Sequence, residues 1–340
     1  MTQLAELTTF GVGGPAGEVI VAGTEADLVE VVRECDATGR PLLVVGGGSN
    51  LLVGDGGFDG VVLRALVRGV SIIEEHDHVT VTAGCGEPWN DLVDLAVGKG
   101  WAGIEALCGI PGLVGATPIQ NVGAYGQEVA DVIANVRVLD RDEGIVRDLS
   151  PADCAFGYRE SRFKREPSRF IVLAVSYRLA RDPWSVVRYA QLADALGIEV
   201  GSTATIKAVR DAVLALRRAK GMVLDASDPD TASAGSFFTN PVLGEAAAAV
   251  LPAQCPRYPA ARGVKVSAAW LIEQSGIGRG WQVRPSSGAR VSTKHTLALT
   301  NTGGASADDL LELARAIRDR VEQRFGVRLE PEPTLVNCTL

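Results

Sequence analysis

The sequence predicts an α+β protein of two or three domains, and three observations carry that expectation. The 340 residues exceed the usual size of one compact core. Strand-like and helix-like segments interleave, with no long run of either kind. The glycine-rich stretch VVGGGSNLLV (44 to 53) leads into a further strand, where a Rossmann-type dinucleotide fold would start a helix.

Taken in order, EVIVA (18 to 22) has strand composition, and TEADLVEVVRECDATG follows with helical periodicity. Thr24 is the N-cap, Leu28, Val31, Val32 and Cys35 share one face, and Gly39 ends the helix. PLLVVGGG returns to a strand, so residues 18 to 48 read as a β-α-β unit with a right-handed crossover. In LLVGDGGFDGVVLRAL the glycines at 54, 56, 57 and 60 exclude a long helix. HVTVTAG (78 to 84), VIANVRVLD (132 to 140) and RFIVLAVSYRLA (169 to 180) are strands, and WNDLVDLAVGKG is a short helix. TIKAVRDAVLALRRAKG (205 to 221) is amphipathic, with Ile206, Val209, Val213 and Leu216 on one face. LDASDPDTASAGS then reads as a domain boundary. The last helix, DDLLELARAIRDRVEQRFG, opens on acids and closes on basic residues and Gly326, as the helix dipole and C-cap favour. VRLEPEPTLV reads as an extended, proline-interrupted tail. No internal repeat is found.

Composition narrows the function classes. With 46% hydrophobic and 22% charged residues the chain has the make-up of a soluble globular protein. Its net charge is −8 and its Lys and Arg are spread along the chain, so it lacks the footprint of a nucleic-acid binder. Any anionic ligand must therefore meet a local cluster. The six cysteines form no C-x-x-C pair and no metal-like spacing with the three histidines, so reduced thiols and no metal site are expected. MTQLAELTTF does not read as a leader and no apolar run reaches membrane-spanning length, which points to the cytoplasm with no membrane partner.

Two glycine-rich stretches carry candidate chemistry. GGGSN breaks the G-x-G-x-x-G pattern at Leu51, but it can turn several amides toward one anion as a nest. Taken alone it reads equally well as a glycine-rich β-turn. GVGGPA (11 to 16) fits the looser fingerprint, yet no strand precedes it, and it reads as a surface turn. GIPGLVGATPIQNVGAYG (109 to 126) holds five glycines and two prolines with apolar residues interleaved, which favours a functional loop over disorder. Two backbone cradles near strand ends suit a long ligand with a central diphosphate.

The strings IPGLVGATPIQNVGAYG, VVGGGSNLLV, FGYRESRFK (156 to 164), AGSFFTNP (234 to 241) and LEPEP (329 to 333), in that company and order, closely resemble the UDP-N-acetylenolpyruvoylglucosamine reductase family. The resemblance runs from Leu7 to the last residues. It implies an FAD-binding module of the vanillyl-alcohol-oxidase (PCMH) type, made of two α+β subdomains, plus a smaller α+β substrate-binding domain. The implied boundaries are 1–66 with 327–340, then 67–222, then 223–326. Both glycine loops would hold FAD, through Gly46, Gly47, Gly48, Ser49 and Asn50 in the first. In the second, Ile110, Pro111, Gly112, Gly115, Ala116, Gln120, Asn121, Gly123 and Ala124 would do so. Ser49 and Asn50 stand where covalent-flavin relatives offer His or Cys, so the FAD would be noncovalent.

The implied reaction reduces an enolpyruvyl ether with electrons from NADPH, giving UDP-N-acetylmuramate for peptidoglycan. Hydride addition to the vinyl carbon pushes negative charge into the carboxylate, and the ether-bearing carbon then takes a proton. The site needs an enolate stabiliser and an acid. Arg159 matches the family's catalytic arginine, and a guanidinium suits a carboxylate because it stays charged and forks onto it. Without the match it would read as a surface ion pair with Glu160 or Glu166. Ser236 matches the proton donor, and by itself would read as a cap or turn serine. Glu332 matches the catalytic glutamate, with Glu330 its bystander; burial would favour its protonated form. A two-residue register error would exchange these glutamates.

Arg217, Lys220, Tyr189, Tyr258 and Asn240 match positions that meet phosphates, diphosphate or uridine, in the subtype with a tyrosine-bearing loop over the substrate. Arg217 and Lys220 also suit the C-terminal end of a helix dipole. Tyr125, Tyr158 and His295 are further candidates for substrate contacts, and SSGARVSTKH (286 to 295) departs from the family's pattern. Another flavin oxidoreductase of the superfamily, such as a sugar-alcohol oxidase, would keep the glycine loops without needing Arg159, Ser236 and Glu332 together. A non-catalytic nucleotide-sugar binder would need none of the three, and a Rossmann dehydrogenase would need the missing helix. A monomer is expected from the family alone.

Overall fold

The computed structural model describes residues 2–340, which fall into two compact units. One comprises residues 17–47 and 59–219. The other comprises 2–16, 48–58 and 220–340.

In the unit that holds residues 17–47 and 59–219, the predicted strand-helix-strand appears as Ala16–Ala22, Glu25–Thr38 and Leu42–Val45. Thr24 caps the helix by accepting from the Asp27 amide, and Gly39 closes it in the left-handed region that favours glycine. The two strands are not neighbours. Phe58–Ala65 lies between them, parallel to Leu42–Val45 with Leu42 opposite Val61. An unpaired β-α-β reading misses this insertion because the third strand arrives after the glycine loop.

Five antiparallel strands form the second sheet, in the order Ile145–Leu149, Ile133–Asp140, Phe170–Ala180, His78–Gly84, Val70–Glu74. Phe170–Ala180 is central, and Leu173, Val175, Tyr177 and Leu179 are fully buried. Tyr177 satisfies its hydroxyl on Thr117 at 2.7 Å, which ties the second glycine loop to the sheet. The short helix is Trp89–Lys99 and the amphipathic one Ile206–Ala219, each within two residues of its expected span.

The other unit is built around Ala307–Phe325. Leu310, Leu313, Ala314, Ile317 and Val321 of that helix pack in one core with Phe10, Phe237, Phe238 and Leu329. Its start is satisfied twice. Ser306 and Asp309 form a capping box, and the Asp55 carboxylate accepts from the amides of Ala307 and Asp308 at 2.8 and 3.1 Å.

Two expectations change here. The tail does more than extend: Thr334–Val336 pairs in parallel with Leu51–Val53, the strand that follows the first glycine loop. GVGGPA is not a surface turn. A Cβ at Gly14 would fall 2.0 Å from the Asp55 carbonyl oxygen, and Val12 is buried, so this segment is packed against the loop after Leu51–Val53. Within residues 224–236, where the sequence suggests a domain boundary, Asp230 and Ser233 are buried. Asp230 is held by the Thr293 amide and hydroxyl.

Candidate active site

In the first unit the two glycine stretches meet main chain to main chain. A Cβ at Gly47 would stand 2.8 Å from Gly112 Cα, so only hydrogen fits, while Gly46 faces the Leu113 side chain at ordinary contact distance. The second stretch is anchored from below. Gly109 donates to Asn90 Oδ1 at 2.7 Å, Val114 to the Glu87 carbonyl at 2.8 Å and Gly115 to the Cys85 carbonyl at 2.9 Å. Ile110, Pro111 and Gly112 are left half-buried and Ala116 exposed. A ledge of backbone without side chains lets a phosphate oxygen approach the main chain, so the residues present fit an FAD diphosphate. Gly48 belongs to the other unit, and its glycine has another cause. With φ +61 and a Cβ position 1.7 Å from the Leu7 carbonyl oxygen, it is required by the N-terminal segment.

Arg159 sits beyond that ledge in the same unit, on a turn closed twice. Gly157 donates to the Glu160 carbonyl and Glu160 to the Gly157 carbonyl. Its φ is +53, a conformation that costs a non-glycine residue about 1 to 3 kcal/mol and persists only where the surroundings impose it. The guanidinium donates to the carbonyls of Gly123 (2.6 Å, from Nη2) and Asn121 (3.4 Å, from Nη1), and lies 5.6 Å from the centre of the Tyr158 ring. Of the two nearby acids, Glu160 pairs with Arg165, and Glu166 with Arg162 and Arg169.

Gly123–Ala124 and Gln127–Glu128 form a tight hairpin whose corner residues, Tyr125 and Gly126, both have positive φ. Gln127 fixes it from one side by donating to Glu105 Oε1 at 2.6 Å and accepting from the Ala106 amide at 2.8 Å. Glu105 itself is fully buried. Tyr125 meets Tyr189 edge-on, ring centres 5.5 Å apart, and burial pushes its hydroxyl up to about 12, so it stays protonated. Gln120 is half-buried at the foot of this hairpin. Arg217 is only 8% exposed, an unusual place for a basic residue at a helix end. Burial pulls it below its ordinary value, against the opposing pull of Tyr125 and Cys108. A guanidinium so placed attracts an anion more strongly than one in water.

In the other unit, Ser236 and Glu332 lie on adjacent segments. Ser236 bridges Ala298, Phe238 bridges Pro331, and the Glu332 amide donates to the Phe237 carbonyl at 2.8 Å. Asn50 clamps the same place, its Nδ2 donating to the Glu332 carbonyl at 3.2 Å and its own carbonyl accepting from Thr334. Glu332 is half-buried while Glu330 is exposed. Ser236 stands in a bridge, not at a helix end. Asn240 Oδ1 accepts from the Ala268 amide at 2.9 Å, and Tyr258 is 45% exposed with the Lys265 ammonium 5.9 Å from its ring centre.

His295, from the divergent 286 to 295 stretch, accepts the Leu297 amide on Nδ1 at 3.0 Å. Burial, with Lys220 and Arg279 nearby, pushes it down to about 4 from 6.5. Between these values the unfolded chain binds a proton that the folded one refuses. The stabilisation is therefore complete above about pH 6.5 and is lost as pH falls toward 4, up to about 3 kcal/mol. Urea unfolding at pH 7.5 and pH 5 should show a smaller loss for His295→Gln than for the unaltered protein; equal losses would remove this histidine from the pH response.

The six cysteines are free thiols, and Cys85, Cys108 and Cys154 are pushed up to about 11, 12 and 12 by burial. Among the described residues no cluster of acids, histidines and cysteines could hold a metal, and no helix is long and apolar enough to cross a membrane.

Comparison with known proteins converges on one family. A family model described as UDP-N-acetylenolpyruvoylglucosamine reductase, C-terminal domain, matches residues 228–336, and one described as FAD binding domain matches residues 16–150. The UDP-N-acetylenolpyruvoylglucosamine reductase of Salinispora arenicola is 52% identical over 348 residues, spanning 99% of this chain and 95% of that protein. That of Streptomyces coelicolor is 51% identical, spanning 99% and 90%. The crystal structure of UDP-N-acetylenolpyruvylglucosamine reductase from Thermus caldophilus is similar with a TM-score of 0.67 at 27% identity, over 98% of this chain and 97% of that one.

Proposed function

The chain belongs to the UDP-N-acetylenolpyruvoylglucosamine reductases, and from that premise we propose that it reduces UDP-N-acetylglucosamine enolpyruvate to UDP-N-acetylmuramate with NADPH as electron donor. FAD is its cofactor, and once reduced by NADPH it would supply the hydride that adds to the vinyl carbon. The observation that carries this reading is the 52% identity over 99% of the chain, together with Ser236 and Glu332 on adjacent segments and Arg159 held on a braced turn. The bare ledge at Gly47 and Gly112, within the stretch matched by the FAD-binding model, supports the cofactor's place.

Arg159 receives the substrate carboxylate and stabilises the charge that flows into it during hydride addition. Glu332 hydrogen-bonds the same developing enolate. Ser236 delivers a proton to the ether-bearing carbon; a hydroxyl is acid enough only toward so basic a centre. Arg217 and Lys220 hold phosphates of substrate or nicotinamide nucleotide, Asn240 and Tyr258 support the uridine diphosphate end, and Tyr189 with Tyr125 forms the tyrosine-bearing cover. Tyr158 and His295 line the substrate site. Ser49, Asn50, Gln120 and Ala124 contribute to FAD binding beside the glycines. The FAD is noncovalent: Ser49 and Asn50 are not tethering residues, and Cys85, which backs Gly115, is 3% exposed with its thiol pushed up to about 11.

We assign residues 1–66 with 327–340 and residues 67–222 to FAD binding, and residues 223–326 to substrate binding, in a cytoplasmic monomer. Incubation with NADPH and the enolpyruvyl substrate should yield a product heavier by two hydrogens, one NADPH being consumed per product. NADPH consumption that needs no enolpyruvyl substrate and produces peroxide would favour the oxidase reading instead.

A further inference from the structure

We propose that Glu128 and Asn121 are positioning residues that set the plane of the Arg159 guanidinium, an inference that rests on the role given to Arg159 above. The observation behind it is a connected set of contacts between two segments far apart in sequence. Asn121 meets both the guanidinium and the turn that carries it. Its Nδ2 donates to the Gly157 carbonyl at 2.9 Å, the same carbonyl that closes the turn carrying Arg159, and its own carbonyl accepts from Arg159 Nη1. Ser161, just past the turn, donates to the Ile119 carbonyl, and Lys164 Nζ donates to the Arg159 carbonyl at 3.1 Å.

The orientation of Asn121 is in turn dictated by Glu128. The second Nδ2 hydrogen goes to Glu128 Oε2 at 2.7 Å and Oδ1 accepts from the Ala130 amide at 3.1 Å, so the amide cannot flip without losing bonds at both ends. Asn121 is 1% exposed and has φ +47, which makes it a brace within the protein whose two side-chain donors are both committed. Glu128 also stands at the N-cap of the short turn Val129–Asp131, where its amide donates to Asp131 Oδ2 at 3.1 Å and fixes its backbone. Between the two partners lies Gly123. A Cβ there would come within 2.8 Å of Glu128 Cγ and 3.1 Å of Arg159 Nη1, leaving no slack between brace and guanidinium.

A fork onto a carboxylate works only in one plane, unlike a point charge. Removing the brace should therefore impair the step that develops charge on the carboxylate more than the step that does not. In Glu128→Ala and the gentler Glu128→Asp, measured on FAD-loaded enzyme, oxidation by the enolpyruvyl substrate should slow by about a hundredfold. Flavin reduction by NADPH and the melting temperature should stay close to the unaltered values. Glu128→Gln, whose amide oxygen can still accept from Asn121, should recover most of the rate. Equal slowing of both steps, or a rate loss that follows the melting temperature with no rescue by glutamine, would overturn the positioning role. A crystal structure of Glu128→Asp tests the brace without any reaction: Arg159 Nη2 should leave the Gly123 carbonyl. An unmoved guanidinium would overturn the proposal, whereas a moved one with no enolpyruvyl reduction in the unaltered enzyme would instead refute the role given to Arg159.

Discussion

Ser236→Ala is expected to leave reduction of the bound flavin by NADPH nearly unchanged, and to slow its reoxidation by the enolpyruvyl substrate by roughly a hundred- to ten-thousandfold, the usual weight of a positioned acid. The asymmetry follows from chemistry. Only the second step creates a carbanion that needs a proton, and only a proton donor is removed. The substitution is also structurally mild: the Phe237 amide and carbonyl, not the serine side chain, hold this segment to Leu297 and Glu332. Rapid mixing of the variant with each ligand in turn resolves the two steps. Equal loss in both would assign Ser236 to binding or folding and leave the proton without a source.

Arg159→Lys should lower the same step by about a hundred- to a thousandfold, although the charge is conserved. The lysine ammonium has no fork and cannot bridge to the carbonyls of Gly123 and Asn121 while holding a carboxylate. Affinity for UDP-N-acetylglucosamine, which lacks the enolpyruvyl carboxylate, should barely move. A variant that binds both ligands more weakly by the same factor would place Arg159 at the nucleotide end.

Local signals made much of the fold legible. Thr24, Gly39, the Trp89–Lys99 helix and the acid-opened Ala307–Phe325 helix are set by caps and periodicity within a few residues of each other, and each stands where the pattern puts it. Pairing across long separations was not legible. Nothing near Leu51–Val53 signals that Thr334–Val336 lies alongside, and the insertion of Phe58–Ala65 between two earlier strands depends on partners no short window contains.

The site divides in the same way. Arg159, Ser236 and Glu332 are proposed through motifs, and in the structure the Glu332 amide, not that of Glu330, donates to the Phe237 carbonyl beside Ser236. Glycine was the least transparent signal: Gly47 answers to Gly112, but its neighbour Gly48 answers to Leu7, so one run of three serves two unrelated contacts. Arg217 is named by motif and by its place at a helix end, but nothing in the local sequence signals that tertiary packing encloses it. Glu128 went unnoticed because a lone acid beside a hairpin reads as surface, and its partner Asn121 was assigned to the cofactor through the loop that contains it.

The most direct test is a stopped-flow pair on the unaltered, flavin-loaded protein without oxygen. NADPH should bleach the flavin absorbance, and UDP-N-acetylglucosamine enolpyruvate should then restore it while one equivalent of UDP-N-acetylmuramate forms. A flavin that NADPH reduces but only oxygen reoxidises, or one that NADPH fails to reduce, would contradict the proposed reductase activity.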